Sequence, residues 1–280
     1  MDIITSLSEM QSLSELLRKQ GKSIGLVPTM GFLHEGHISL LRDARQTCDT
    51  VAVSIFVNPT QFGPNEDLSR YPRDIEGDRR KCGASGVDIL FMPEDKEMYP
   101  EKPTVFINVE GISDILEGAI RPGHFRGVAT VVAKLFHIVK PNKAFFGQKD
   151  FQQCVVIKRM AKGLNMDVDI IVRPTVREKD GLAMSSRNVY LNADERYAAA
   201  VLYRALFAAR DLYTAGAKEP EKLRQKMRAV ILAEHGVGID YAEVADPETL
   251  ATLSTARDSM ILLVAARLGK TRLIDNLLIP

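Results

Sequence analysis

The chain has 280 residues, 45% hydrophobic and 26% charged, with 37 Lys and Arg against 36 Asp and Glu. That length and balance suit one large globular domain or two modest ones, and they exclude a mainly disordered state. A net charge of +1 leaves no basic field for non-specific nucleic-acid binding, so an anionic substrate must be met by local groups. Cys48, Cys82 and Cys154 are widely spaced and form no CxxC pair, so we expect reduced thiols, not a disulfide framework or zinc knuckle. The segment Met1-Asp2-Ile3-Ile4-Thr5 has no basic region followed by an apolar run, and no stretch is apolar for long enough to span a bilayer. The expectation is a cytoplasmic enzyme or binding protein.

In chain order, Ile24–Pro28 reads as a short buried strand, followed by a helix over 36–48 with Ile38, Leu40, Leu41 and Ala44 on its apolar side. Residues 50–57 form a second strand rich in β-branched side chains, and 58–72 a Pro-, Gly- and Asn-containing loop. A charged helix is predicted over 75–84, and strands over 87–92 and 104–109. An apolar helix follows over 128–139, then a strand over 143–146, a helix over 151–163 and a strand over 168–172. Alternating strands and helices predict an α/β, Rossmann-like parallel sheet covered on both faces. The pattern changes near Pro174. Long helices over 193–215 and 220–234 precede strands over 239–244, 260–266 and 272–277, which predicts a smaller α+β unit with an antiparallel sheet. The expected domains are 1–175 and 176–280.

The strongest chemical signal is Met30-Gly31-Phe32-Leu33-His34-Glu35-Gly36-His37, after the first of these strands and at the start of a helix. A helix N-terminus offers N–H groups and partial positive charge to an anion, and glycines let backbone approach phosphate oxygens. His34 and His37 can add ring N–H donors. A metal pair or two surface histidines are the competing readings, but no third ligand pattern accompanies the pair. Asn58 and Gln61, in Phe56-Val57-Asn58-Pro59-Thr60-Gln61, are amides suited to a small polar ligand; an Asn-Pro turn explains the spacing equally well. Gly147-Gln148-Lys149-Asp150 lies at a strand-to-helix junction, where Lys149 offers charge to a phosphate and Asp150 an N-cap. Gln153 lies near that helix start. Met184-Ser185-Ser186-Arg187 offers two hydroxyls and a guanidinium, in what is otherwise a polar turn.

The HxGH pattern at 34–37 resembles the phosphate-binding motif of the nucleotidyltransferase superfamily that includes class I aminoacyl-tRNA synthetases. Taken together with Tyr71-Pro72-Arg73 and Gly123-His124-Phe125-Arg126-Gly127-Val128, the four segments closely resemble the pantothenate synthetase family, most specifically over about residues 24–190. The resemblance implies ATP-dependent joining of (R)-pantoate and β-alanine through a pantoyl adenylate, with Mg²⁺ accompanying ATP and a homodimeric protein. It implies that Met30 to His37, Gly147 to Asp150, Val176 and Met184 to Arg187 bind ATP. His34, His37, Lys149 and Arg187 would carry catalysis, His37 standing where the family has its proton donor. Gln61 and Gln153 would bind pantoate, with Asn58 in support. Asp78 is a candidate support for the metal, set against a solvated helix carboxylate. Phe32 stands where Asn is usual in the family, and Gln148 where Glu is usual. The rival readings are another HxGH nucleotidyltransferase, which needs no paired glutamines, and a non-catalytic nucleotide-binding regulator, which needs no charge on both sides of a triphosphate. A zinc protein built on His34 and His37 lacks further ligands.

Overall fold

The structure, a computed structural model, describes residues 1–279. The chain forms two compact units, one of Met1–Gly147 with Gln152–Pro174, the other of Gln148–Phe151 with the chain from Thr175 onward. A single boundary in sequence cannot express this division, because a four-residue turn groups with the second unit while the chain on either side of it groups with the first.

The first unit contains, in order, β1 (Asp2–Ile4), α1 (Leu7–Lys19), β2 (Ile24–Thr29), α2 (Glu35–Thr47), β3 (Thr50–Ile55), α3 (Ile75–Ala84), β4 (Ile89–Phe91), the short α4 (Asp95–Met98) and α5 (Glu117–Ile120), α6 (His124–Val139), β5 (Lys143–Gly147), α7 (Phe151–Gly163) and β6 (Asp169–Arg173). All six strands are parallel, in the order β1-β4-β3-β2-β5-β6. Alternation along the strands sends Val27, Val51, Val53, Leu90 and Phe145 to one face, where they pack with Leu40, Leu41 and Ala44 of α2 and Cys82 of α3. Ile24, Leu26, Ala52 and Ala144 point to the opposite face and are excluded from water. Full burial of a side chain such as Leu26 or Leu41 stabilises the fold by about 1.5–3 kcal/mol.

Two elements at the N-terminus, β1 and α1, were not expected. β1 is only three residues long, and in α1 only Met10 and Ser14 are buried, so the helical period is faint. The strand expected over 104–109 is absent. Its β-branched residues run as irregular backbone: the Ile107 amide donates to Thr130 Oγ1 on α6 at 2.9 Å, Arg126 lies over the Phe106 ring, and Val105 is 80% exposed. β-propensity without a sheet neighbour does not make a strand.

The second unit contains α8 (Ala193–Ala199), α9 (Val201–Thr214), α10 (Pro220–Leu232), β7 (Val237–Ala245), β8 (Met260–Leu268) and β9 (Thr271–Ile279). The three strands form an antiparallel sheet in sequence order. The helix expected over 193–215 is broken at Ala200, whose ψ of −9° ends one helix and starts the next. Leu202, Leu206, Leu223, Met227 and Ile231 pack against Val244, Leu262 and Val264 of the sheet.

Candidate active site

β2 is the strand at which the winding of the parallel sheet reverses, with β3 on one side and β5 on the other. In open α/β sheets a ligand sits beyond the carboxyl ends of the strands at such a point. The loop that leaves β2 carries the HxGH motif.

Two residues in the left-handed region make this loop's turn, Gly31 at φ 83° and Phe32 at φ 52°. For a residue with a side chain that conformation costs about 1–2 kcal/mol, so something must hold it. The holder is Asp78 on α3. Its two carboxylate oxygens accept the Phe32 and Leu33 amides, each at 2.7 Å, while Lys81, one turn later, donates to the Leu33 carbonyl at 2.6 Å. Asp78 is buried, 1% exposed, and burial pushes its carboxyl above the usual range despite the two amides. This corrects the expectation of a solvated helix carboxylate: Asp78 is buried, and both of its oxygens fix the loop. Among the described residues no group of three or more His, Cys, Asp or Glu could hold a metal ion.

His34 is the N-cap of α2. Its Nδ1 accepts the Gly36 amide at 3.2 Å, and His37 Nδ1 accepts the His34 amide at 3.2 Å. Both Nδ1 lone pairs are therefore used as caps, so each neutral ring carries its proton on Nε2. The rings lie 4.1 Å apart. The motif thus satisfies its own helix start with one nitrogen of each ring.

The loop after β3 forms a short 3₁₀ turn, Pro59–Gln61. Asn58 is 1% exposed, with its amide engaged on all sides: Nδ2 donates to Gln61 Oε1 at 3.0 Å and to the Gly127 carbonyl at 3.3 Å, and Oδ1 accepts from the Tyr99 hydroxyl at 2.9 Å and the Thr60 hydroxyl at 3.0 Å. Asn58 was expected to support a substrate. The structure places it against Gln61, whose Oε1 it holds, with Gln61 Nε2 directed at Met30 Sδ, 3.3 Å away, in the HxGH loop.

The same turn is held from behind by α6. A Cβ at Gly127 would lie 2.4 Å from the Thr60 carbonyl oxygen and 2.7 Å from Gln61 Cα, so only glycine allows this approach. His124 Nδ1 donates to the Gln61 carbonyl at 2.9 Å, its Nε2 accepts from Arg121 Nη1 at 3.1 Å, and Arg121 forms a two-bonded pair with Glu66 at 2.7 and 2.6 Å. Burial, with the neighbouring Arg121 charge, pushes the His124 imidazole down to about 4, so it works as a neutral donor and acceptor.

On α7, Gln152 is buried and donates to the carbonyls of Ile112 and Ile115 at 2.7 and 2.8 Å, while accepting the Glu117 amide at 3.0 Å. It staples the 112–117 loop. Its neighbour Gln153 is half-buried.

In the second unit, Gln148–Asp150 form a 3₁₀ turn in which Lys149 Nζ lies 3.4 Å from Asp150 Oδ1. Gln148 uses its amide, donating to Asn276 Oδ1 at 3.2 Å, a bond that a glutamate could not make. The Met184 amide bonds to the Val176 carbonyl at 3.0 Å, and Ser185 caps the 3₁₀ helix Ser186–Tyr190 by accepting the Arg187 amide at 3.3 Å. Asn188 ties this segment to Glu178 and to the Ala183 carbonyl. Ser186 is buried.

Sequence reasoning missed Glu66, Tyr99, Arg121, Asp275 and Asn276. Their partners are 41 to 128 positions away, and none sits in a motif with a chemical signature of its own. His124 and Gly127 were visible only as part of a family resemblance, without a role.

A family model for pantoate–beta-alanine ligase matches residues 2–278. The chain is 54% identical over 274 residues to pantothenate synthetase of Pelotomaculum thermopropionicum, a match covering 98% of this chain and 97% of the relative. Among solved structures it is similar to pantothenate synthetase from Thermus thermophilus, with a TM-score of 0.94, 45% identity and 99% of each chain covered. It is also similar to pantoate–beta-alanine ligase from Francisella tularensis complexed with beta-gamma ATP and beta-alanine, with a TM-score of 0.82, 38% identity, and 99% of this chain and 97% of that one covered. Matches at this identity run the whole length of a chain whose HxGH loop, paired histidines and braced Gln61 turn sit where the sheet's winding reverses, and the chain belongs to the pantoate–β-alanine ligase family.

Proposed function

We infer that the chain condenses (R)-pantoate with β-alanine at the expense of ATP, giving pantothenate, AMP and diphosphate through a pantoyl adenylate. The observation that carries this is the full-length match to the ligase family, together with a solved relative described as a complex with beta-gamma ATP and beta-alanine. A carboxylate is a poor acyl donor because its leaving group would be oxide. Attack of the pantoate carboxylate on the α-phosphorus expels diphosphate and makes a mixed anhydride. The β-alanine amine then attacks the acyl carbon and AMP leaves.

The residues divide this work. The Nε2–H groups of His34 and His37 donate to phosphate oxygens and stabilise the charge that develops as the α-phosphoryl group transfers. Their capped Nδ1 atoms support this role, since the neutral tautomer is already the donating one. A proton-donor role for His37 would use the same Nε2–H. Met30 to Gly36, Gly147 to Asp150, Val176 and Met184 to Arg187 contact ATP, with Lys149 and Arg187 supplying positive charge. Gln61 and Gln153 hold pantoate in line with the α-phosphorus, Gln61 through the amide end that Asn58 orients. Mg²⁺ would accompany the ATP phosphates and neutralise part of their charge. We further propose a homodimer in the cytoplasm. Three buried thiols suit a reducing compartment, and among the described residues no helix is long and apolar enough to cross a membrane.

The test is direct. With ATP and Mg²⁺, the purified protein releases diphosphate only when pantoate is present, and releases AMP with pantothenate once β-alanine is added. Diphosphate release independent of pantoate, or none, refutes the reading. Sedimentation velocity tests the dimer separately.

A further inference from the structure

Two adjacent polar residues, Asp275 and Asn276, are buried in the middle of β9, at 3% and 2% exposure. Strand alternation sends them to opposite faces of the sheet. An acid and an amide at such positions are costly unless every polar atom is engaged, and an apolar pair there would be no worse for stability. What they engage is specific. Asn276 Nδ2 donates to the carbonyls of Gln148 and Lys149, both at 2.9 Å, and its Oδ1 accepts from Gln148 Nε2. Asp275 receives Arg177 through two bonds, at 2.6 and 2.9 Å, and also accepts the Asn276 amide at 2.7 Å.

Arg177 in turn donates to the Gly181 carbonyl at 2.9 Å and to the Asn276 carbonyl at 3.3 Å, and lies over the Tyr203 ring. It stands at the base of a tight excursion, bridged to Ala183, from which Met184 to Arg187 continue. Gly181 at the tip has φ 92°, and a Cβ there would lie 2.3 Å from the Tyr203 ring, so the excursion is packed shut. One dipeptide of β9 therefore holds two segments far apart in sequence: the turn carrying Lys149, and the segment leading to Arg187.

We propose that Asp275 and Asn276 are positioning residues for the adenylation step, fixing Lys149 and the Ser185–Arg187 segment as one set of triphosphate contacts. The inference rests on the reading of Lys149 as a phosphate contact. Both β9 side chains are buried and engaged by protein groups. Each acts on the backbone that aims a charged side chain, and misplacement of such a group by about 1 Å costs on the order of a hundredfold in rate. Asn276→Asp keeps the shape but replaces two donated bonds with a carboxylate facing two carbonyl oxygens. Asn276→Ser keeps one donor, and serves should the Asp variant not fold.

The experiment is a double-mutant cycle on the full-length protein, read by single-turnover diphosphate release with ATP, Mg²⁺ and pantoate, with pantoate affinity measured by calorimetry. Asn276→Asp is expected to lower kcat/KM for ATP on the order of a hundredfold, and Asn276→Ser on the order of tenfold, with pantoate Kd within about twofold of the parent. In a Lys149→Ala background the same substitutions are expected to cost less than about threefold more, because the group they aim is gone. A merely structural role predicts full additivity, and additive losses overturn the inference, as does a fully active Asn276→Asp. Lys149→Ala at the parental rate overturns the reading of Lys149 itself and the inference with it.

Discussion

Asp78→Asn isolates what holds the HxGH loop. The substitution keeps the shape of the side chain and removes its charge. In the parent, two loop amides meet one carboxylate at 2.7 Å each. A bond to a charged acceptor contributes about 1.5–3 kcal/mol, and a neutral one about 1 kcal/mol. Asparagine can accept one of the two amides through Oδ1, but must turn its NH₂ toward the other, leaving a buried donor opposed at a further cost of about 1–3 kcal/mol. The loop thus loses about 3–8 kcal/mol of restraint at the point where Phe32 is held at φ 52°. Overall stability falls by less. Burial raises the Asp78 carboxyl in the folded state, so its ionised form costs stability above that range, and the neutral amide recovers that cost. At about 1.4 kcal/mol per factor of ten, even the lower end of that loss, expressed in the transition state, predicts an adenylation rate lower by on the order of a hundredfold or more. The assay is single-turnover diphosphate release, with urea unfolding alongside. An adenylation rate within about threefold of the parent would refute the reasoning, as would a stability loss large enough to account for the whole defect.

Three further outcomes follow from the site. His37→Ala removes a cap worth about 1 kcal/mol, which alone predicts a rate change of at most about fivefold; loss of the Nε2–H donor predicts on the order of a hundredfold or more, so the measured rate of diphosphate release separates the two roles. Gly127→Ala places a methyl group 2.4 Å from the Thr60 carbonyl and should displace the Gln61 turn, weakening pantoate binding by on the order of tenfold in calorimetry at a stability cost of about 1–3 kcal/mol; unchanged pantoate affinity would mean that the turn does not hold pantoate. For His124 the folded value of about 4 lies below the unfolded 6.5, so between those values the unfolded chain binds the extra proton and stability falls as pH drops. The loss should reach about 3 kcal/mol by pH 4 and be absent from His124→Gln, as read by urea unfolding at pH 7, 5.5 and 4; equal pH slopes in the two proteins would contradict it.

The candidate site residues stood out in the sequence because their signals are local. Glycine spacing, a helix start directly after a buried strand, and the order of Gln61, Lys149 and Arg187 along the chain are all properties of short windows. The same holds for the alternating strands and helices, whose periods of 2 and 3.6 survive in a single sequence. Tertiary structure decided which polar residues are engaged by other residues of the chain. In composition Asp78 and Asn58 look like ligand groups. Burial and two or more partners each turn them into braces for the HxGH loop and for Gln61. The reverse holds for Asn276, which looks like the end of an ordinary strand and instead grips the Lys149 turn across 127 positions. The segment over 104–109 failed as a strand for a related reason, since a strand requires a neighbour that its own sequence does not supply. The sequence by itself determined the parallel sheet, the helix start directly after a buried strand and the class of chemistry. Only the tertiary structure decided how those groups are aimed, because aiming depends on hydrogen bonds between residues distant in sequence, and a single sequence carries no record of such pairs.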